Sequence, residues 1–270
     1  MKRDGLFRMS ALLGATVMLL ASTATGWSQS LTWLGTLGGT HSAALGVSAD
    51  GRVVVGWAFN AAGDKRAFCW EFSRMEDLGT LGGRWSGAWG VSADGRVVVG
   101  WANNATLQSR AFRWESGVMQ DLGTLGGDRS EAYGVSADGC VVVGAADAAG
   151  VWRAFRWTAD GGMEDLNITY ANLLTPGSSL GWAFAISPNG RYIVGQGYNA
   201  ATGRHEAYLL DTGFPRRGDV DRNGCVDNAD LLRVLLAFGE RGYRNEDLNW
   251  DSTIDDADLL EVLFNFGSGC

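Results

Sequence analysis

Between residues 31 and 212, apolar positions come in short runs broken by glycine and polar turn residues, and no helical apolar period passes through the region. The stretch opening at Leu78 shows the pattern in full: AWGVS, RVVVGWA, RAFRW and VMQDLG are four strand-like runs separated by turn chemistry. RVVVGWA is continuously apolar, as a strand covered on both faces would be. RAFRW alternates, with Phe112 and Trp114 on one face and Ala111 and Arg113 on the other. VMQDLG carries Gln120 and Asp121 and is the most polar, which suits an outer edge facing water. Between the first two runs, SADGR supplies an Asp-Gly pair, a hairpin signal because glycine takes positive φ without steric cost.

This unit recurs. LGTLGG opens at Leu34, Leu78 and Leu122, a spacing of 44 residues, and a degenerate DLN places Leu166 another 44 on. GVSADG follows at Gly46, Gly90 and Gly134, then as AISPNG from Ala185. Four strands in a unit of this length match a β-propeller blade. The phase adds to this: the region opens on a fourth-strand segment, LTWLGTL from Leu31, and ends on a third-strand segment, EAYLLD from Glu206. Pairing the two would remove both edges. The expected fold is therefore mainly β, a small four-bladed propeller of 16 short strands over residues 29–212, its N-terminal strand closing the last blade. A stacked β-solenoid is the alternative, disfavoured because a hairpin signal in every unit calls for antiparallel pairing. In the fourth unit NITYANLLTPGSSL adds a seven-residue loop, and insertions of this kind gather on one face of a repeat protein.

Asp50, Asp94 and Asp138 recur at fixed phase, which marks turn duty, since a catalytic group is needed once and a turn in every unit. His41 and His205 are the only histidines, and neither has triad or zinc spacing. No catalytic residue is read. The positions that vary after LGG, Thr40-His41, Arg84-Trp85 and Asp128-Arg129, fall between one unit's outer strand and the next unit's inner strand. His41, Arg84, Trp85 and Arg129 form a candidate rim for a glycan or a protein loop.

Composition refines this picture at the two ends. Forty glycines, twelve tryptophans and three prolines fit a turn-dense β protein. The net charge of −8 is concentrated beyond residue 213, where 12 Asp and Glu face 6 Lys and Arg. No basic stripe exists to engage nucleic acid. Lys2, Arg3 and Arg8 precede an apolar run from Met9 to Ala21 and small residues at Ser22 and Ala24, the pattern of a signal peptide over residues 1–28. That run is shorter than the roughly 20 residues of a spanning helix. The expectation is a secreted, extracellular protein with no membrane span after cleavage.

Residues 213–270 carry the readable chemistry. GDVDRNGCVDNADLLRVLLAFG and EDLNWDSTIDDADLLEVLFNFG are two copies of an oxygen-rich loop followed by a helix. In the first, Asp219, Asp221, Asn223, the carbonyl of Cys225, Asp227 and Asp230 take positions 1, 3, 5, 7, 9 and 12 of a calcium loop, with Gly224 at the sharp turn. In the second, Asp247, Asn249, Asp251, the carbonyl of Thr253, Asp255 and Asp258 take the same places. Hard oxygen donors at this spacing predict two calcium ions. Asp replaces Glu at position 12, and Ser252 stands where glycine is usual, at a cost of roughly 1 kcal/mol if the turn is left-handed. Leu231, Leu235 and Phe238 make one helical stripe, Leu232 and Leu236 another, and LLEVLF is as broad, more apolar surface than two short helices can bury against each other. Gly239 and Gly267 end the helices. Of four cysteines, Cys225 and Cys270 flank the module and are the preferred disulfide, while Cys69 and Cys140 stand at arginine positions and read as exposed free thiols.

Two resemblances follow. Arg66-Ala67-Phe68, Arg110-Ala111-Phe112 and Arg153-Ala154-Phe155, each followed by a tryptophan two residues on, together with the VSADG and VVVG runs, resemble the bacterial extracellular HAF repeats. Arg stands where that family's name demands His. The resemblance implies export and a repeat β-structure. The tandem calcium loops with Asp at position 12 and no entering helix resemble a type I dockerin, which implies calcium-dependent folding and docking onto a cohesin-like domain. By that resemblance Asn228, Ala229, Asp256 and Ala257 carry partner recognition. The function so implied is a secreted, non-catalytic recognition or adhesion protein attached to a cohesin-like partner or the cell surface through its dockerin module. The alternatives are a component of extracellular polysaccharide breakdown, as a carbohydrate-binding protein or a hydrolase of O-glycosyl compounds, and a structural surface protein with a calcium-stabilised tail.

Overall fold

Glycine and aspartate set the turns of the repeat. In a computed structural model that describes residues 29–213, 216–221 and 225–269, Gly51, Gly95, Gly139 and Gly190 hold φ between 73° and 80°. The Asp50 carboxylate accepts from Arg52 N (3.0 Å) and Ser48 Oγ (2.7 Å), and Asp94 and Asp138 repeat the arrangement. These aspartates are turn residues.

The strands form four antiparallel sheets in chain order. The first holds β1 (Gly38–Val47), β2 (Val54–Asn60), β3 (Lys65–Glu71) and β4 (Arg74–Asp77). The second holds β5 (Gly82–Val91), β6 (Val97–Asn104), β7 (Ser109–Glu115) and β8 (Val118–Asp121), and the third β9 (Ser130–Val135), β10 (Val141–Ala148), β11 (Val151–Thr158) and β12 (Gly162–Asp165). Among the described residues the fourth has three strands, β13 (Ser179–Ile186), β14 (Tyr192–Asn199) and β15 (Arg204–Asp211). Pairing only between sequence neighbours, all of it antiparallel, excludes the solenoid alternative. The glycine of each VVVG run has a steric reason: a Cβ on Gly56, Gly100, Gly144 or Gly195 would sit 2.0, 2.1, 2.0 or 1.8 Å from a carbonyl oxygen of the inner strand.

The core is a set of slabs between successive sheets. Val53, just ahead of β2, and Val55 and Ala67 of the first sheet meet Ala88, Val98 and Phe112 of the second. Val99 and Ala111 meet Ala132, Val142 and Phe155, and Val143 and Ala154 meet Ala183 and Ile193. Hydrogen bonds cross the same junctions: Ala67 N donates to Ser86 Oγ and Ala111 N to Ser130 Oγ, each at 2.9 Å. A turn ladder runs Ala49 N to Ala93 O, Ala93 N to Ala137 O and Ala137 N to Pro188 O. Among the described residues no comparable packing joins the fourth sheet to the first.

The expected sixteenth strand is therefore a correction. Residues 29–36 form no strand, and the fourth sheet has three. LGTLGG leads into the inner strand: Gly35 and Gly38 have φ of 83° and 96°, as Gly79 and Gly82 do at 83° and 99°, outside the β region, so the chain turns there rather than running on as an outer strand. Ser42 Oγ donates to Gly35 O and Leu37 bridges Asn60, so this segment belongs to the first sheet. The seven-residue insertion in the fourth unit is also more ordered than a loop, forming α1 (Leu166–Thr169), capped by Asp165, and a short 3-10 turn at Ala171–Leu173.

Beyond residue 215 the two motif copies fold as one unit with internal two-fold character. Helices α2 (Asn228–Ala237) and α3 (Asp256–Phe264) enclose Val220, Val226, Val234, Ile254 and Val262. Gly239 N donates to Ile254 O and Gly267 N to Val226 O, both at 2.8 Å, equivalent bonds exchanged between copies. Cys225 is disulfide-bonded; its expected partner Cys270 lies outside the described residues. Cys69 and Cys140 are thiols; Cys140 is exposed and Cys69 half-buried, and burial pushes the Cys69 thiol up to about 11, with Glu71 and Glu76 adding to the rise. No described helix is long and apolar enough to cross a membrane.

Candidate metal centre

The first acidic loop brings Asp219, Asp221 and Asp230 together, with one carboxylate oxygen of each within 4.8 Å of the others. Asp219 and Asp230 are buried. Asp230 Oδ1 accepts from Val220 N (2.7 Å) and Asp221 N (3.0 Å), and Oδ2 from Asp227 N (2.8 Å). Asp227 caps α2 by accepting from Ala229 N, so Asp227 and Asp230 form a reciprocal capping box. Position 12 thus closes the loop and starts the helix at once. Asn223 and Gly224 lie outside the described residues.

The second loop repeats this. Asp258, fully buried, accepts from Leu248 N (2.6 Å), Asn249 N (3.2 Å) and Asp255 N (2.9 Å), and Asp255 caps α3 through Ala257 N. Asp247 is buried and accepts from Asp251 N and Ser252 N. Burial raises its carboxyl pKa, the Ser252 amide pulls it down, and Asp258 pushes it up. Asn249 and Asp251 bond to each other, and Asp251 Oδ1 accepts from Thr253 N. Ser252 has φ of 73°, the left-handed turn read for position 6. All donors are oxygens, and three carboxylates converge in the first loop, a donor set that fits a hard divalent cation such as calcium. The capping boxes went unread in the sequence, although Asp-x-x-Asp ahead of an apolar run is their signal.

Asn228, Ala229, Asp256 and Ala257 are exposed in the first turns of the two helices. Leu231, Val234, Leu259 and Val262 face the core, and the outer faces leave Leu232, Leu236, Leu260 and Phe264 in water, Phe264 at 82% exposure.

The four rim residues lie near the start of the inner strands, His41, Trp85 and Arg129 at one repeat position and Arg84 one residue before it, and each is engaged within the protein. His41 Nδ1 shares a 2.7 Å hydrogen bond with Thr40 Oγ1 and meets Phe59 edge-on. Arg84 pairs with Asp64 across the first junction and lies 5.7 Å from the Trp85 ring centroid. Arg129 lies over Trp152 at 5.4 Å. Beside the fourth sheet, the insertion walls a cavity of about 210 Å3 lined by Leu174, Tyr198, Glu206 and Tyr208. Hydrogen bonds from Thr202 Oγ1 and Asn199 Nδ2 hold the Glu206 carboxyl below its usual range.

No family model and no curated protein matches the chain. Solved structures do. TolB from Acinetobacter baumannii is similar at 18% identity, over 64% of this chain and 41% of its own, with a TM-score of 0.47. The putative TolB from Agrobacterium tumefaciens is similar at 16% identity, over 64% and 59%, with a TM-score of 0.44. The β-propeller domain of the Trilobed protease from Pyrococcus furiosus is similar at 12% identity, over 64% and 55%, with a TM-score of 0.39. The chain spans about half the length of the solved structures it matches.

Proposed function

We propose that the protein is an exported recognition or adhesion protein whose acidic tail is a calcium-dependent docking module of dockerin type, presented by a propeller-like row of repeats. The observation that carries this is the division of labour in the tail. Asp219, Asp221 and Asp230 converge on the inner side of the first loop, while the outer faces of α2 and α3 carry uncovered leucines and Phe264 beside the exposed Asn228 and Asp256. Calcium held by the loop oxygens supplies positive charge that neutralises crowded carboxylates, and the loop then fixes where each helix begins. The uncovered apolar faces are the docking surface for a cohesin-like domain, with Asn228, Ala229, Asp256 and Ala257 at its rim.

Calorimetry on the full chain tests the metal: two calcium ions per chain are expected, and Asp219→Asn with Asp221→Asn should abolish one. Pulldown with a cohesin-domain panel tests the docking. Capture that a chelator abolishes, and that Leu236→Glu also abolishes with calcium binding intact, supports the reading; calcium binding without any capture reduces the tail to a stabilising clasp.

A further inference from the structure

Each junction between sheets pairs two faces. One is the outward face of the second and third strands, which the next sheet covers; the other is the inner strand of that next sheet. Within the row both faces are buried: Val55, Val99 and Val143 on the first, Ala88, Ala132 and Ala183 on the second. Among the described residues the row leaves one unmatched face of each kind at its ends.

At the far end, the fourth sheet keeps the residues of a covered face, and no described residue covers them. Val194 stands where Val55, Val99 and Val143 stand, and is 41% exposed. Leu209 stands where Arg113 bonds across to the next sheet at Gly139 O, and is 69% exposed. Ala207 takes the place of Ala67 and Ala111, whose N–H groups donate to the next sheet's serine. At the near end, the first sheet presents the complementary set. Ser42, Ala44 and Val47 stand where Ser86, Ala88 and Val91 stand, and Val47 is 60% exposed.

The missing outer strand completes the match. In the repeat register, the residues just before LGTLGG are the outer strand of the preceding sheet: β4 pairs Met75, Glu76 and Asp77 with Trp70, Cys69 and Phe68, and Leu78 N then donates to Ala67 O. Leu31, Thr32 and Trp33 hold those places before Leu34, Leu31 matching Met75, Met119 and Met163. They form no strand, with Leu31 and Trp33 80% and 88% exposed. By that register Leu31, Thr32 and Trp33 are an outer strand for Leu210, Leu209 and Tyr208.

We infer that a second copy of this chain supplies it. Two copies associate head to tail, the first sheet of each docking on the fourth sheet of the other, with each Leu31–Trp33 segment completing its partner's β15. The contact is heterologous, and it occurs twice, so the pair closes and leaves no free end. Eight sheets in such a closed pair fall within the usual four to eight blades of a propeller. Pro188 fits the end position: it has no N–H to extend the turn ladder, so this junction rests on the apolar faces, Ala207 and the added strand. The inference goes beyond the docking function and does not depend on the tail.

Light scattering on the full chain should give twice the single-chain mass, and Leu209→Glu should halve it. With Cys69 and Cys140 replaced by serine, a chain carrying Thr32→Cys mixed with a chain carrying Leu209→Cys should oxidise to a covalent pair. A chain carrying both should also run as a linked pair. A single-chain mass at all concentrations overturns the inference. So does a doubly substituted chain that oxidises only within itself, which would place the closing strand in the same molecule. Open assemblies larger than a pair overturn the closure.

Discussion

Gly100 shows how closely single residues bind this fold to its sequence. Its position in β6 places the α-carbon against the carbonyl of Gly87, so an alanine methyl would meet that oxygen at 2.1 Å and the Ala88 α-carbon at 2.8 Å. Neither contact can relax by a side-chain rotation, because both belong to backbone of the paired strand. Gly100→Ala should therefore destabilise by about 3 kcal/mol, at the upper end of overpacking costs, despite alanine's better fit to a regular backbone. Urea unfolding followed by tryptophan fluorescence measures this, and a loss below about 0.5 kcal/mol would mean the strands part without cost. The glycine of the Asp-Gly turn was legible from sequence because its requirement is local, a positive φ. The glycine of VVVG was visible only as a repeated letter, because its requirement comes from a strand ten or more residues away that chain order alone does not place in contact. Cys69 is similar: its arginine-bearing counterparts suggested exposure, whereas the neighbouring sheet half-buries it.

Elements inherit these constraints and add their own. Most of the strand runs, and the two tail helices with an acidic loop before each, were legible, since apolar alternation, Asp-Gly pairs and Asp-rich spacing are short-range signals. LTWLGTL was misread as an outer strand because its leucines look like strand residues, whereas the positive φ of Gly35 and Gly38 turns the chain into the inner strand of the first sheet. In the tail, position 12 serves two elements. Asp258 accepts three backbone N–H groups from the loop and from the start of α3, bonds that require no metal. Asp258→Ala should therefore lower stability by about 2 kcal/mol or more even in excess chelator, through loss of the cap and exposure of buried donors. Circular dichroism of the full chain during thermal unfolding in chelator reads this out. A variant indistinguishable from the parent without calcium would assign Asp258 to the metal alone.

At the scale of the molecule, the repeats behave as a row in which each sheet is stabilised by its neighbours. Stability in such a row is a sum of sheet and junction contributions, so end sheets with one junction open more readily than inner sheets with two. The second and third sheets are covered on both sides, and Val98, Val99, Val142 and Val143 are fully buried. Among the described residues the first and fourth each lack one neighbour. Hydrogen exchange on a dilute sample should thus show β6 and β10 as the most protected strands, with β1 and β15 exchanging much faster than their counterparts β5 and β7. On raising the concentration, residues 42–47 and 207–211 should gain protection together, because a head-to-tail contact buries both ends in one event, and residues 31–33 should gain it with them. Protection equal across all four sheets in the dilute sample would require closure within one chain. Gain at residues 207–211 without gain at residues 42–47 would mean that the fourth sheet meets some surface other than the first, since in a closed pair neither face can be covered alone.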